Sequence, residues 1–98
     1  MLEKQKFPDK AILVSAAVGQ EEKDDLDEHL QELKMLVQTL RMQVLDSFQV
    51  VLKKITPATF IGSGKAQEIK EAVETQGAKI VVFDNDLKPS QERNLEEM

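Results

Sequence analysis

Cysteine is absent from this 98-residue chain, which excludes disulfides and thiolate metal centres and fits a reducing compartment. Histidine occurs once, at His29, and that argues against a histidine-built metal site. Long apolar runs are missing too. The longest, "AILVSAAV" and "IVVF", fall well short of the roughly 20 residues that a membrane-crossing helix needs, and the charged start "MLEKQKFPDK" has no signal-peptide core. These absences predict a cytoplasmic protein with no membrane span. An excess of basic residues is also lacking: 13 Lys and Arg stand against 18 Asp and Glu, a net charge of -5. Strong, nonspecific nucleic-acid binding by the whole surface is thereby disfavoured, because neutralising phosphates takes clustered cations.

What is present reads as an α/β domain. "AILVSAAV" at 11–18, ending at Gly19, is a continuous apolar run of the kind found in a strand covered on both faces. From about 22 to 41, Leu26, Leu30, Leu33, Val37 and Leu40 recur at steps of four and three, one stripe of a helix, with Asp24 or a neighbour as its cap. The acid-rich stretch 21–32 suits the start of that helix, where negative charge meets the positive end of the dipole. A second strand is predicted over 43–55, irregular near Asp46 and Ser47. A helix over about 64–76 turns Ala66, Ile69 and Val73 inward and ends at Gly77, a residue suited to positive φ. "KIVVFD" at 79–84 is the third strand, and Pro89 opens a last helix. The order β-α-β-α-β-α predicts a small, mostly parallel sheet with buried strands and helices on both faces, a single domain over 1–98. The pattern stops inside a helix, so a fragment of a longer polypeptide is expected, with a sheet edge free to take a further strand or a second copy.

Chemistry is harder to place. "GSGK" at 62–65 resembles a P-loop, yet G-x-x-x-x-G-K-[ST] would put its first glycine at Thr59 and its hydroxyl at Ala66. Two readings stay open. Gly62, Ser63, Gly64 and Lys65 form an anion site at a helix N-terminus, or the glycines only permit a tight turn while Lys65 is solvated. Along the carboxyl edge of a parallel sheet this turn would join Ser15–Gly19 and Asp84–Asp86. Asp84 and Asp86 read as turn formers that bond nearby amides. No set of residues supports a catalytic triad, a carboxylate pair or a metal centre, so no catalytic residue, cofactor or metal is expected in this chain.

"PATFIGSGKAQEI" at 57–69 and "IVVFDNDLKPSQERNLEE" at 80–97 closely resemble, in order and spacing, the N-terminal domain of the HflX-type GTPases. The resemblance spans nearly the whole chain. It implies a parent that hydrolyses GTP with Mg²⁺ in a separate downstream domain and associates with the large ribosomal subunit, the present domain serving binding and regulation. It also implies that "GSGK" is a signature outside the GTP site, and it marks Asp84, Pro89, Gln91 and Asn94 as motif residues. Two departures stand out. The family's Thr-Ala-Gly turn after the first helix is Thr39-Leu40-Arg41 here, and the usual Ser before the proline is Lys88, a lost cap worth about 1 kcal/mol. Any ribosomal RNA contact would have to use a local patch such as Lys53, Lys54, Lys65 and Lys88. The alternatives are an independent nucleotide or phosphate binder built on the GSGK turn, and a structural domain that docks on the rest of its parent.

Overall fold

A computed structural model describes residues 9–19 and 23–98. Its elements are β1 (Lys10–Val18), α1 (Leu26–Thr39), β2 (Gln43–Leu52), α2 (Ser63–Gln76), β3 (Ile80–Phe83) and α3 (Pro89–Glu96). The three strands form one parallel sheet in the order β2-β1-β3. The chain thus steps from β1 to β2 in one direction and back across β1 to β3 in the other. Right-handed crossovers in opposite directions require helices on opposite faces. That is the arrangement found: Ala11 and Leu13 pack with Leu30, Leu33 and Val37 of α1, while Val14 and Ala16 pack with Phe60, Ile61, Ala66 and Ile69. Leu95 brings α3 to this second layer.

Only β1 is buried on both faces. The expectation of fully buried strands fails for β2 and β3, which are the two edges and are mostly half-buried. "IVVF" has the composition of a central strand, and only the strand order makes it an edge. The irregularity expected near Asp46 is a bulge. Pairing runs from Ala11 with Val44 to Ile12 with Asp46, which leaves Leu45 over. An even separation along a strand keeps side chains on one face. Because of the extra residue, Val44 nonetheless packs in the α1 layer while Phe48 and Leu52 pack in the other.

The stripe of α1 buries Leu26, Leu30, Leu33 and Val37 as its spacing predicts. Leu40 is 67% exposed instead, because the helix ends at Thr39 and Leu40 is already its cap. The sequence starts this helix at about 22, a position outside the described residues, whereas the regular helix begins at Leu26. The cap at the other end is Asp25, whose side chain makes no capping bond; Asp27 and Glu28 act on the dipole. At the C-terminus Met42 N–H donates to Val37 O at 3.1 Å and Arg41 N–H to Gln38 O at 2.9 Å, the paired bonds of a Schellman motif. Arg41 therefore sits at φ 64°, the left-handed position that the family's glycine would occupy without strain. At the end of α2, Gly77 holds φ 74° as predicted.

Candidate functional site

The carboxyl ends of the strands carry three segments. The first is the connection from β2 to α2. Thr56 N–H donates to Phe60 O at 2.9 Å and Phe60 N–H to Thr56 O at 2.7 Å, closing the five residues "TPATF" into a tight loop. Phe60 adopts φ 71° with its ring in the core, an uncommon state for a bulky residue that surrounding contacts must maintain. The next residue, Ile61, is 0% exposed and anchors the loop's exit. Gly62, at φ -62° and ψ 161°, caps α2.

The turn Gly62–Lys65 then opens α2. Ala66 N–H closes the first helical bond to Gly62 O at 3.0 Å, so the amides of residues 62–65 are those that a helix leaves without internal partners. Neither glycine is needed for its backbone angle. A Cβ on Gly62 would come no nearer than 4.0 Å to Thr56 Oγ1, and one on Gly64 would meet nothing within 4 Å. The reading that they serve a tight turn therefore lacks a steric basis. Lys65 is half-buried and pairs with Glu68 at 3.0 Å, one turn along, rather than being freely solvated.

The third segment follows β3. Pro89 occupies the first helical position of α3 as predicted, and Lys88 is the cap. Half of a capping box survives the loss of the serine: Lys88 N–H donates to Gln91 Oε1 at 2.9 Å. The reciprocal bond of a capping box is closed to Lys88, because an ammonium has no acceptor. Gln91, 4% exposed, turns its other end to the loop and donates from Nε2 to Pro57 O at 3.2 Å. Asn94 Nδ2 donates to Ala58 O at 2.9 Å. Two motif residues on α3 thus clasp the loop that launches α2. The two sequence motifs are the two halves of one joint.

A separate polar cluster lies where β1 and β3 diverge, the place at which a parallel sheet reverses its winding. Ser15, 1% exposed, donates from Oγ to Asp84 Oδ2 at 3.4 Å, and His29 Nδ1 lies 3.9 Å from the same oxygen. Asn85 grips the end of β1 with both ends of its amide, accepting from Ala16 N–H at 3.0 Å and donating to Ala16 O at 2.8 Å. Asp84 therefore reaches across the sheet rather than forming a local turn, a correction to its sequence reading. Asn85 was not singled out by sequence reasoning; an amide directly after an apolar strand was the available signal. Ala16, His29, Glu32, Asp84 and Asn85 line an open hollow of about 370 Å³. Among the described residues, no hydrogen bond or ion pair joins this cluster to Ser63–Lys65, and no group of three His, Asp or Glu is placed to hold a metal ion.

Lys53 and Lys54 are exposed where β2 ends, and Lys88 is exposed before α3. Lys65, in the first turn of α2 and paired with Glu68, follows the same β2 end. At the open edge of β3, Val81, Phe83, Leu87, Leu95, Ile69 and Val73 line an apolar groove of about 740 Å³. Among the described residues no helix is long and apolar enough to cross a membrane.

Residues 27–98 match the family described as GTP-binding GTPase N-terminal. The chain is 40% identical over 90 residues to GTPase HflX of Escherichia coli, which covers 92% of this chain and 20% of that protein. Against GTPase HflX of Flavobacterium psychrophilum the identity is 35% over 96 residues, 97% of this chain and 23% of the relative. GTPase HflX of Treponema denticola is 43% identical over 65 residues, 66% and 17% of the two chains. The chain spans about a fifth of the length of these relatives. Its motifs, its parallel architecture and these matches show that it belongs to the GTP-binding GTPase N-terminal family, as an HflX N-terminal domain.

Proposed function

We propose that residues 1–98 form a single ribosome-binding and regulatory domain of a longer HflX-type GTPase, which acts in the cytoplasm. GTP and Mg²⁺ bind in a downstream domain of the parent, and this domain contributes no catalytic group. The observation that carries this reading is the match along nearly the whole chain to relatives named GTPase HflX that are several times longer. The contact with the large ribosomal subunit is made by rRNA phosphates meeting Lys53, Lys54, Lys65, Lys88 and the open amides of Ser63 and Gly64. Glycines with no steric duty support this, since a bare backbone lets a phosphate approach closely. Field strength at a contact depends on nearby charges more than on the total, so Lys53, Lys54 and Lys88 supply it, and Lys65 exchanges Glu68 for a phosphate on contact.

The open β3 edge is where a neighbouring strand adds, either from the downstream chain in cis or from a second copy of the isolated domain. Its apolar groove supports that reading.

Calorimetry tests the division of labour. The 98-residue chain should bind no GTP while an extended polypeptide does, and micromolar GTP affinity of the short chain overturns the proposal. The second reading, a nucleotide or phosphate binder in its own right, is favoured by the same bare glycines. ATP titration followed at the amides of Ser63–Lys65 decides it, and an unmoved spectrum removes it.

A further inference from the structure

We infer that Gln91 and Asn94 are positioning residues for the ribosomal contact: they lock α3 to the "TPATF" loop, and so hold Lys88 and the Ser63–Lys65 turn in one fixed frame. The inference rests on the rRNA contact proposed above and assigns what sets its geometry.

The lysines of that contact come from different pieces of chain. Lys53 and Lys54 precede the loop, Lys65 follows it in the first turn of α2, and Lys88 belongs to the cap of α3. Nothing in the covalent chain holds the last of these near the others, because β3 lies between. Apolar packing of Leu87 and Leu95 brings α3 to the layer of Phe60 and Ile61, and side-chain amides add the directed ties. Gln91 is a single bridge: its oxygen takes the Lys88 N–H at 2.9 Å and its nitrogen reaches Pro57 O at 3.2 Å. Asn94 adds a second tie to the next carbonyl, Ala58 O, at 2.9 Å.

The loop then passes this constraint onward. Its ends are bonded to each other through Thr56 and Phe60, Phe60 is held at φ 71°, and Ile61 is fully buried. Two residues after Phe60 the turn of α2 begins. The Lys88 backbone is thereby joined to Ser63 through Gln91, the closed loop and the buried Ile61. A polyanion that meets several cations at once binds more tightly when their spacing is set beforehand, since little ordering remains to be done on contact. A clasp that served stability alone would not need to join the two lysine-bearing pieces, and Asn94 is itself solvent-exposed, where one hydrogen bond adds little to folding.

The experiment measures the affinity of the 98-residue chain for purified large ribosomal subunits at fixed salt. Asn94→Ala leaves every lysine in place. The exposed position keeps the variant folded, which a melting curve checks. Its affinity should fall about three- to tenfold, the span of one well-placed hydrogen bond. The double variant Asn94→Asp with Glu97→Gln, which preserves net charge and sets a carboxylate against Ala58 O, should lose at least as much. The discriminating measurement is a cycle with Lys65→Ala. If Asn94 acts through the turn, the Lys65 substitution costs less in the Asn94→Ala background than in the wild type. Additive losses, or wild-type affinity in both Asn94 variants, overturn the inference while leaving the ribosomal contact standing. A wild-type chain that does not bind the subunits at all removes the contact itself, and the inference with it.

Discussion

The two faces of the sheet are held by different means. On the α1 face a regular helix lays a stripe of Leu and Val against β1, and its polar links, Gln49 with Asp27 and His29 with Asp84, lie at the solvent-exposed margin. On the other face two helices and a loop share the layer, and a buried glutamine ties one helix to the loop. The first face is fixed by apolar area, which tolerates local change. The second adds directed bonds to backbone carbonyls, which fix relative position. The bare glycines, Lys65 and Lys88 of the proposed ribosomal contact belong to the starts of the two helices on this second face.

The largest effect should be common to both layers. Leu30→Ala on one face and Ile61→Ala on the other should each cost about 3 kcal/mol in urea unfolding, the usual toll of a truncated core side chain. A much smaller loss at Ile61 would mean that the second face is loosely packed and the comparison wrong.

The contrast itself is sharpened by polar truncation. Gln91→Leu removes the partner of both the Pro57 carbonyl and the Lys88 amide and should cost about 1 kcal/mol. Gln49→Leu, losing only an exposed bond, should stay within about 0.5 kcal/mol. Equal losses would erase the distinction between the two faces.

A stabilising change is expected at the end of α1. Arg41→Gly relieves a left-handed residue at φ 64° and should raise stability by about 0.5–1 kcal/mol, read as a higher midpoint in denaturant. No gain there would indicate that the Arg41 side chain makes up the strain.

The smallest stability effect tests function. Gly64→Ala places a Cβ in open space inside the first helical turn and should stabilise the fold by about 0.5 kcal/mol. If the glycine keeps the backbone bare for rRNA, affinity for large ribosomal subunits should fall in the same variant. Improved stability with unchanged affinity would remove Gly64 from the proposed contact.

Most of the fold is legible in the residues because periodicity is local. The stripe from Leu26 to Val37, the apolar run of β1, Pro89 at a helix start and Gly77 at a helix end each follow from spacing or backbone preference within a few residues. The irregularity at Asp46 was visible as a weak strand, but its consequence was not. One extra residue sends Val44 and Phe48 to opposite faces, and parity alone says the reverse. The site was less legible still. Glycine and lysine at 62–65 suggested an anion contact, and the residues that tie down the loop before this turn, Gln91 and Asn94, lie more than thirty positions beyond their partners Pro57 and Ala58.

The amino-acid sequence by itself determined the succession of strands and helices, the face that α1 buries and the family, since each is written in spacing or identity along the chain. Only the tertiary structure decided that β1 is central, that "IVVF" forms an edge, that Asp84 faces Ser15, and that α3 clasps the loop before α2. The reason is physical: a side-chain amide finds its carbonyl through packing, and no local preference of Gln91 or Asn94 specifies which distant carbonyl the fold will present.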